Sequence, residues 1–164
     1  MGARMSDLFA AAGYPYCEGG IMSGEAACCR SFSSWCRVFD GWISGLEPDD
    51  LLRSKIFFDF RGSLDDGRLV DRLRQHLKAS LVLNPRFFPL LAGSVLHYVP
   101  PITSFGGFVL KTTDGVRDGF DVKGVLAQVV DVARLRALQY GVIESGTLER
   151  LEALADGGHL VSSL

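Results

Sequence analysis

The chain has 164 residues, enough for one domain with a sizeable core and short for two. Its 17 Lys and Arg face 19 Asp and Glu, a net charge of −2, which excludes the basic footprint of a nucleic-acid binder and any polybasic run for anionic lipid. No stretch approaches the roughly 20 uninterrupted apolar residues of a membrane span. The first residues, with Arg4 and Asp7 and no apolar run, do not read as a secretory signal, so a soluble, cytoplasmic protein is expected.

The N-terminal segment reads as irregular, and within it "GYPYCEGGIM", residues 13–22, has the look of a phosphate cradle. A P-loop needs a Lys and a Ser or Thr after its glycines, and a Rossmann turn needs a strand and a helix around G-x-G-x-x-G; neither is present. Gly13, Gly19 and Gly20 therefore read as backbone turns at positive φ. A second reading keeps the amides of Gly19 and Gly20 as contacts to a ligand. Cys17, Cys28, Cys29 and Cys36 match no zinc spacing and no usual disulfide framework, and read as thiols of a reducing compartment; a metal site completed by a distant His is the alternative.

From Glu25 onward Cys28, Phe32, Trp35, Phe39 and Trp42 recur at steps of four and three, the stripe of an amphipathic helix beginning near Ser23 and Gly24 and loosening at Gly41 and Gly45. Pro48 and the acids after it suit a first helical turn, predicting a helix towards Phe60, with Ile56–Phe58 as a short strand in the alternative reading. Leu69, Leu73, Leu77 and Leu81 share one face of the next helix. Asn84 before Pro85 predicts an N-cap, after which Phe87, Leu91, Val95 and Tyr98 form a stripe ended by Pro100 and Pro101.

The segment 100–124 is rich in Pro, Gly, Thr and Asp and reads as a long loop of the kind that often carries function. Residues 125–142 read as a central, deeply packed helix because they are apolar on more than one face. Thr147 is expected to cap a last helix closing on Gly157 and Gly158. The class expected is mainly α: a bundle-like or orthogonal array of about six helices, with an irregular N-terminal segment and a long Gly/Pro-rich loop.

Chemistry has few candidates. His76, His97 and His159 sit on different segments with no nucleophile motif beside them, and read as core or surface histidines. "FFDFRG" sets Asp59 and Arg61 in an apolar context, either as a half-buried acid paired with an arginine or as a charge set for phosphate or metal contact. "FDVKG" places Asp121 and Lys123 at a helix start, where free amides and the dipole attract anions; the alternative is a cap and a solvated lysine.

Taken in order, "GYPYCEGGIM", "SFSSWCRVFDGWI", "IFFDFRG", "NPRFFPLLAGSVL", "PPITSFGGFVL", "FDVKGVLAQVVDVARLRAL" and "GTLERLEAL" resemble the putative nucleotidyltransferases related to the PII-uridylyltransferase, from Gly13 to Leu154. The resemblance implies a catalytic domain with a Gly-Ser element and an Asp-x-Asp metal pair, followed by a helical substrate-binding domain. Cyclic-nucleotide-binding or CBS regulatory domains are often upstream. Here no Gly-Ser followed by Asp-x-Asp occurs, and Asp65 and Asp66 are adjacent acids before a helix.

The expected organisation is a junction of the catalytic domain over residues 1–23 and the substrate-binding domain over 24–164. The expected function is substrate binding without catalysis by the chain alone, through Asp59, Arg61, Asp121 and Lys123, with Gly19 and Gly20 at the join. The alternative is a nucleotidyltransferase whose catalytic half lies on another chain. Magnesium and a nucleoside triphosphate are then expected only with that half. Expected partners are the catalytic or regulatory domain and a protein substrate, with neither nucleic acid nor membrane.

Overall fold

The computed structural model describes residues 2–62, 67–96, 111–113, 116–119 and 122–160. Among them are seven helices: α1 (Gly2–Ala11), α2 (Phe32–Gly45), α3 (Pro48–Phe57), α4 (Arg68–Leu83), α5 (Phe87–Leu96), α6 (Val122–Tyr140) and α7 (Thr147–Asp156). Two short strands, β1 (Lys111–Thr113) and β2 (Val116–Gly119), complete the described elements. The protein is mainly α, as its patterning predicts. The chain divides into two compact units, Met1–Val38 and Phe39–Leu164.

In the first unit residues 12–31 are turns and irregular chain, preceded by a helix. Good helix formers such as Ala, Arg, Met and Leu build α1, and its start lies against the backbone at Ser23 and Gly24. Ser23 Oγ donates to the Gly2 carbonyl at 3.1 Å. A Cβ on Gly24 would stand 2.9 Å from Ala3 Cα, so glycine is required by space there. Gly20 turns the chain at φ +66 with its N–H on the Cys17 carbonyl at 3.0 Å.

The helix expected from Glu25 begins only at Phe32. Residues before it form isolated turns, with Cys28 N–H on the Glu25 carbonyl at 2.9 Å. The capping bond comes from Ser31, whose Oγ accepts from Ser34 N–H at 3.3 Å. All four cysteines are free thiols.

In the second unit, α3 opens with Pro48 in its first turn followed by Asp49 and Asp50, the acids favoured by the helix dipole. It ends at Phe57, so Ile56–Phe58 is helix end rather than strand. Between α2 and α3 the left-handed residue is Leu46 at φ 61, not a glycine. Asn84 proves to close α4 instead of opening α5: its N–H reaches the Leu81 carbonyl at 3.2 Å and its Nδ2 the Ser80 carbonyl at 2.8 Å. Gly146, not Thr147, occupies the N-cap of α7, without a side-chain bond. The loop reading of 100–124 is corrected in part, because β1 and β2 pair antiparallel with Thr113 opposite Val116 and an irregularity between Lys111 and Thr112. Tyr98, Pro100, Pro101 and Asp121 lie outside the described residues.

The core is an aromatic chain. Phe39, Phe58 and Phe87 are buried, with ring centroids 4.9 Å apart for Phe39 and Phe58 and 6.1 Å for Phe58 and Phe87. Each fully buried aromatic or leucine contributes roughly 1.5–3 kcal/mol of transfer free energy. Leu77 and Leu81 bury the later part of the α4 stripe, while Leu69 in its first turn is exposed. The helix α6 packs against α5 and α7 and buries Ala133 and Ala137. It is not buried along its length, however: Val122, Leu126 and Val129 on the same face stand exposed.

Candidate functional site

The end of α3, the middle of α6 and the start of α7 bring five charged side chains together. Lys55 sits one turn before Asp59 on the chain, Asp131 and Arg134 are three apart on α6 and so share a helical face, and Arg150 enters from the first turn of α7. Lys55 Nζ contacts Asp131 Oδ2 at 2.9 Å, and Arg134 Nη1 contacts Asp131 Oδ1 at 2.6 Å. Arg134 also donates from Nη2 and Nε to Asp59 Oδ2 at 2.7 and 3.1 Å. Arg150 Nη2 donates to Asp59 Oδ1, and Arg150 Nε to the Glu144 carbonyl at 2.9 Å.

Arg150 is only 4% exposed, and among the described residues its Nη1 has no hydrogen-bond partner. Burial pushes the Asp59 carboxyl upward, but the hydrogen bonds and charges of Arg134 and Arg150 outweigh it and hold Asp59 below its ordinary value of 3.8. The site is therefore an ionised network of three cations around two carboxylates.

Beside it lies a cavity of about 40 Å³ walled by Arg150, Arg74, Lys78 and Glu144 over Phe58, Leu77 and Leu138. An adjoining cleft of about 310 Å³ shares Arg74, Ile143 and Glu144 with it and adds Ser145, Gly146 and Glu149.

A second polar group joins α2 and α4. Asp40 Oδ1 is met by His76 Nε2 at 2.9 Å and accepts from Ser80 Oγ at 2.7 Å. His76 and Ser80 are four residues apart on one face of α4, and with Asp40 they border a cleft of about 400 Å³. Both side chains bind the carboxylate, so the serine is not held by the imidazole as a relay for nucleophilic attack requires.

Residues 85–164 match the family described as "Putative nucleotidyltransferase substrate binding domain", and residues 1–49 match the one described as "Putative nucleotidyltransferase". The chain belongs to this putative nucleotidyltransferase family. No curated protein and no solved structure matches it. In this nucleotidyltransferase relative the charged network crosses the matched region's edge: Asp131, Arg134 and Arg150 fall inside the substrate-binding match, whereas Lys55 and Asp59 precede it.

The sequence candidates are thus distributed. Asp59 is half-buried at the network's centre, with arginines 75 and 91 positions away rather than with Arg61, which is exposed. Lys123 is exposed in the first turn of α6, and Asp121 lies outside the described residues. Gly19 and Gly20 are exposed in a turn of the first unit. Sequence reasoning missed Lys55, Asp131, Arg134 and Arg150. The available signal was Arg150 four residues before Leu154, a cation on the buried face of α7.

A magnesium-dependent nucleotidyl transfer requires a pair of carboxylates free to hold the metal. Among the described residues no three His, Cys, Asp or Glu side chains converge to hold a metal. Asp59 and Asp131 share Arg134, and their remaining oxygens are held by Arg150 and by the Lys55 ammonium. This donor set does not fit a magnesium pair. No helix among the described residues is long and apolar enough to cross a membrane.

Proposed function

We propose that the chain is the substrate-recognition part of a nucleotidyltransferase related to the PII-uridylyltransferase, binding the acceptor without carrying out nucleotidyl transfer by itself. The observation that supports this most is the fate of Asp59 and Asp131, whose oxygens are held by Arg134, Arg150 and Lys55 and are spent on joining helices. A catalytic half with the Gly-Ser element and paired carboxylates is then supplied by another domain or chain. Magnesium and a nucleoside triphosphate bind there. A cytoplasmic PII-type regulatory protein is the acceptor class that the family resemblance favours.

In the test, the purified chain is mixed with a PII-type protein, magnesium and α-labelled UTP. Binding of the acceptor in a gel-shift or interferometry assay, with label incorporated only after a catalytic domain of the family is added, is the expected result. Label transferred by the chain alone refutes the reading, as does failure to bind any acceptor in the presence of the catalytic domain.

A further inference from the structure

We propose that the cavity between α4, α6 and α7 is a binding site for a tetrahedral phosphate group, with Arg150 as its buried anchor and Lys78 and Arg74 on its wall. This inference does not depend on the acceptor assigned above.

It starts from an unfinished hydrogen-bond inventory. Of the three guanidinium nitrogens of Arg150, Nε serves the Glu144 carbonyl and Nη2 serves Asp59, which leaves Nη1 buried and without a partner among the described residues. A buried donor left unmade is costly; Arg150 lines the cavity, but Nη1 itself has no accessible surface, so a ligand there meets it through a rotation of the guanidinium. The charge balance points the same way. Lys55, Arg134 and Arg150 bear three positive charges against the two carboxylates of Asp59 and Asp131, one in excess.

Two further cations line the same cavity. Lys78 has no ion pair among the described residues, and its chain lies over Gly141, where an added Cβ would stand 2.7 Å from Cε and 2.8 Å from Nζ. Gly141, at φ +68, thus brings an ammonium close to the backbone at the end of α6. Arg74 is held by the Phe60 carbonyl at 3.3 Å and only loosely by Asp71, at 3.6 Å. Among the described lining residues Glu144 is the one acid, against the three cations Arg150, Arg74 and Lys78.

Size selects the ligand class. A cavity of about 40 Å³ has room for roughly three water-sized groups, which suits the terminal oxygens of a phosphate. The apolar floor of Phe58, Leu77 and Leu138 lowers the local dielectric and strengthens each charge-assisted bond. The remainder of a phosphate ester would extend past Arg74 into the adjoining cleft.

The experiment is calorimetric and thermal-shift titration of the full chain with inorganic phosphate, sodium chloride keeping ionic strength constant. A saturable rise in Tm is expected. Lys78→Ala, at an exposed position, should weaken affinity about tenfold, the loss of one charge-assisted hydrogen bond, with the ligand-free Tm little changed. Arg150→Lys, checked for folding by circular dichroism, should abolish binding. A parallel titration with UMP separates sources: UMP binding with the same sensitivity to Lys78→Ala identifies a phosphate ester, and phosphate binding without UMP binding identifies the free ion. A shift that chloride reproduces, the same affinity in Lys78→Ala, or a crystal structure grown in phosphate with only water in the cavity overturns the proposal.

Discussion

Arg150 donates through Nη2 to Oδ1 of Asp59, joining the first turn of α7 to the residue just past α3 across 91 positions of chain. A residue 4% exposed with a charged head is tolerated only because that carboxylate faces it. Replacing Asp59 by Asn leaves Arg134 and Arg150 facing a neutral amide. The expected loss is about 2–4 kcal/mol, the range for a broken buried pair discounted for an Asp59 side chain 23% exposed. Urea denaturation measures it, with exposed Arg61→Ala as the control, expected within about 0.5 kcal/mol of wild type.

Acid should weaken the protein through the same carboxylate. Because the folded state holds Asp59 below 3.8, the unfolded chain takes up the proton first as pH falls. The stabilisation is fully present above the unfolded value and disappears as pH drops through the folded one. The urea midpoint of wild type should therefore fall below pH 4 more steeply than that of Asp59→Asn. Identical acid limbs would show that Asp59 does not bear this part of the pH dependence.

Phe87 is completely buried between Phe58 and Phe88 in the aromatic chain. Phe87→Ala should cost about 3–5 kcal/mol, whereas Phe87→Leu, which leaves a smaller void, should cost less than half as much. Thermal melts of the two variants provide the comparison.

In the first unit the close approach of α1 to Gly24 gives a local test. Gly24→Ala would bring a methyl carbon within 2.9 Å of the Ala3 backbone, which cannot rotate away as a side chain could. A destabilisation of about 1–3 kcal/mol is expected, visible as faster proteolysis at α1. Gly20→Ala meets nothing within 4 Å, and its cost comes only from the left-handed φ of +66.

Helices with long apolar stripes were legible: Leu77 and Leu81 in α4, and Phe87, Leu91 and Val95 in α5, are buried as their spacing predicts. Helix starts were less so, because a cap depends on which hydroxyl meets an amide. Ser31 rather than Ser23 does so for α2, and Asn84 turned out to end one helix instead of beginning the next. The strands of the hairpin are three and four residues long, too short for alternation to be seen. At the site, the adjacency of Asp59 and Arg61 suggested a pair, but the partners come from helices 75 and 91 residues further on. Such pairing is set by tertiary packing, which local spacing cannot report.

The half-covered face of α6 has a consequence for how the protein opens. At about 1.5 Å per residue its 19 residues span roughly 28 Å, and the turns around Ala133 and Ala137 are locked into the core while Val122, Leu126 and Val129 in the first turns stand exposed. The first two turns of this helix should therefore exchange their amide hydrogens through local fraying, at a small fraction of the global unfolding free energy, and the last three only when the whole unit unfolds.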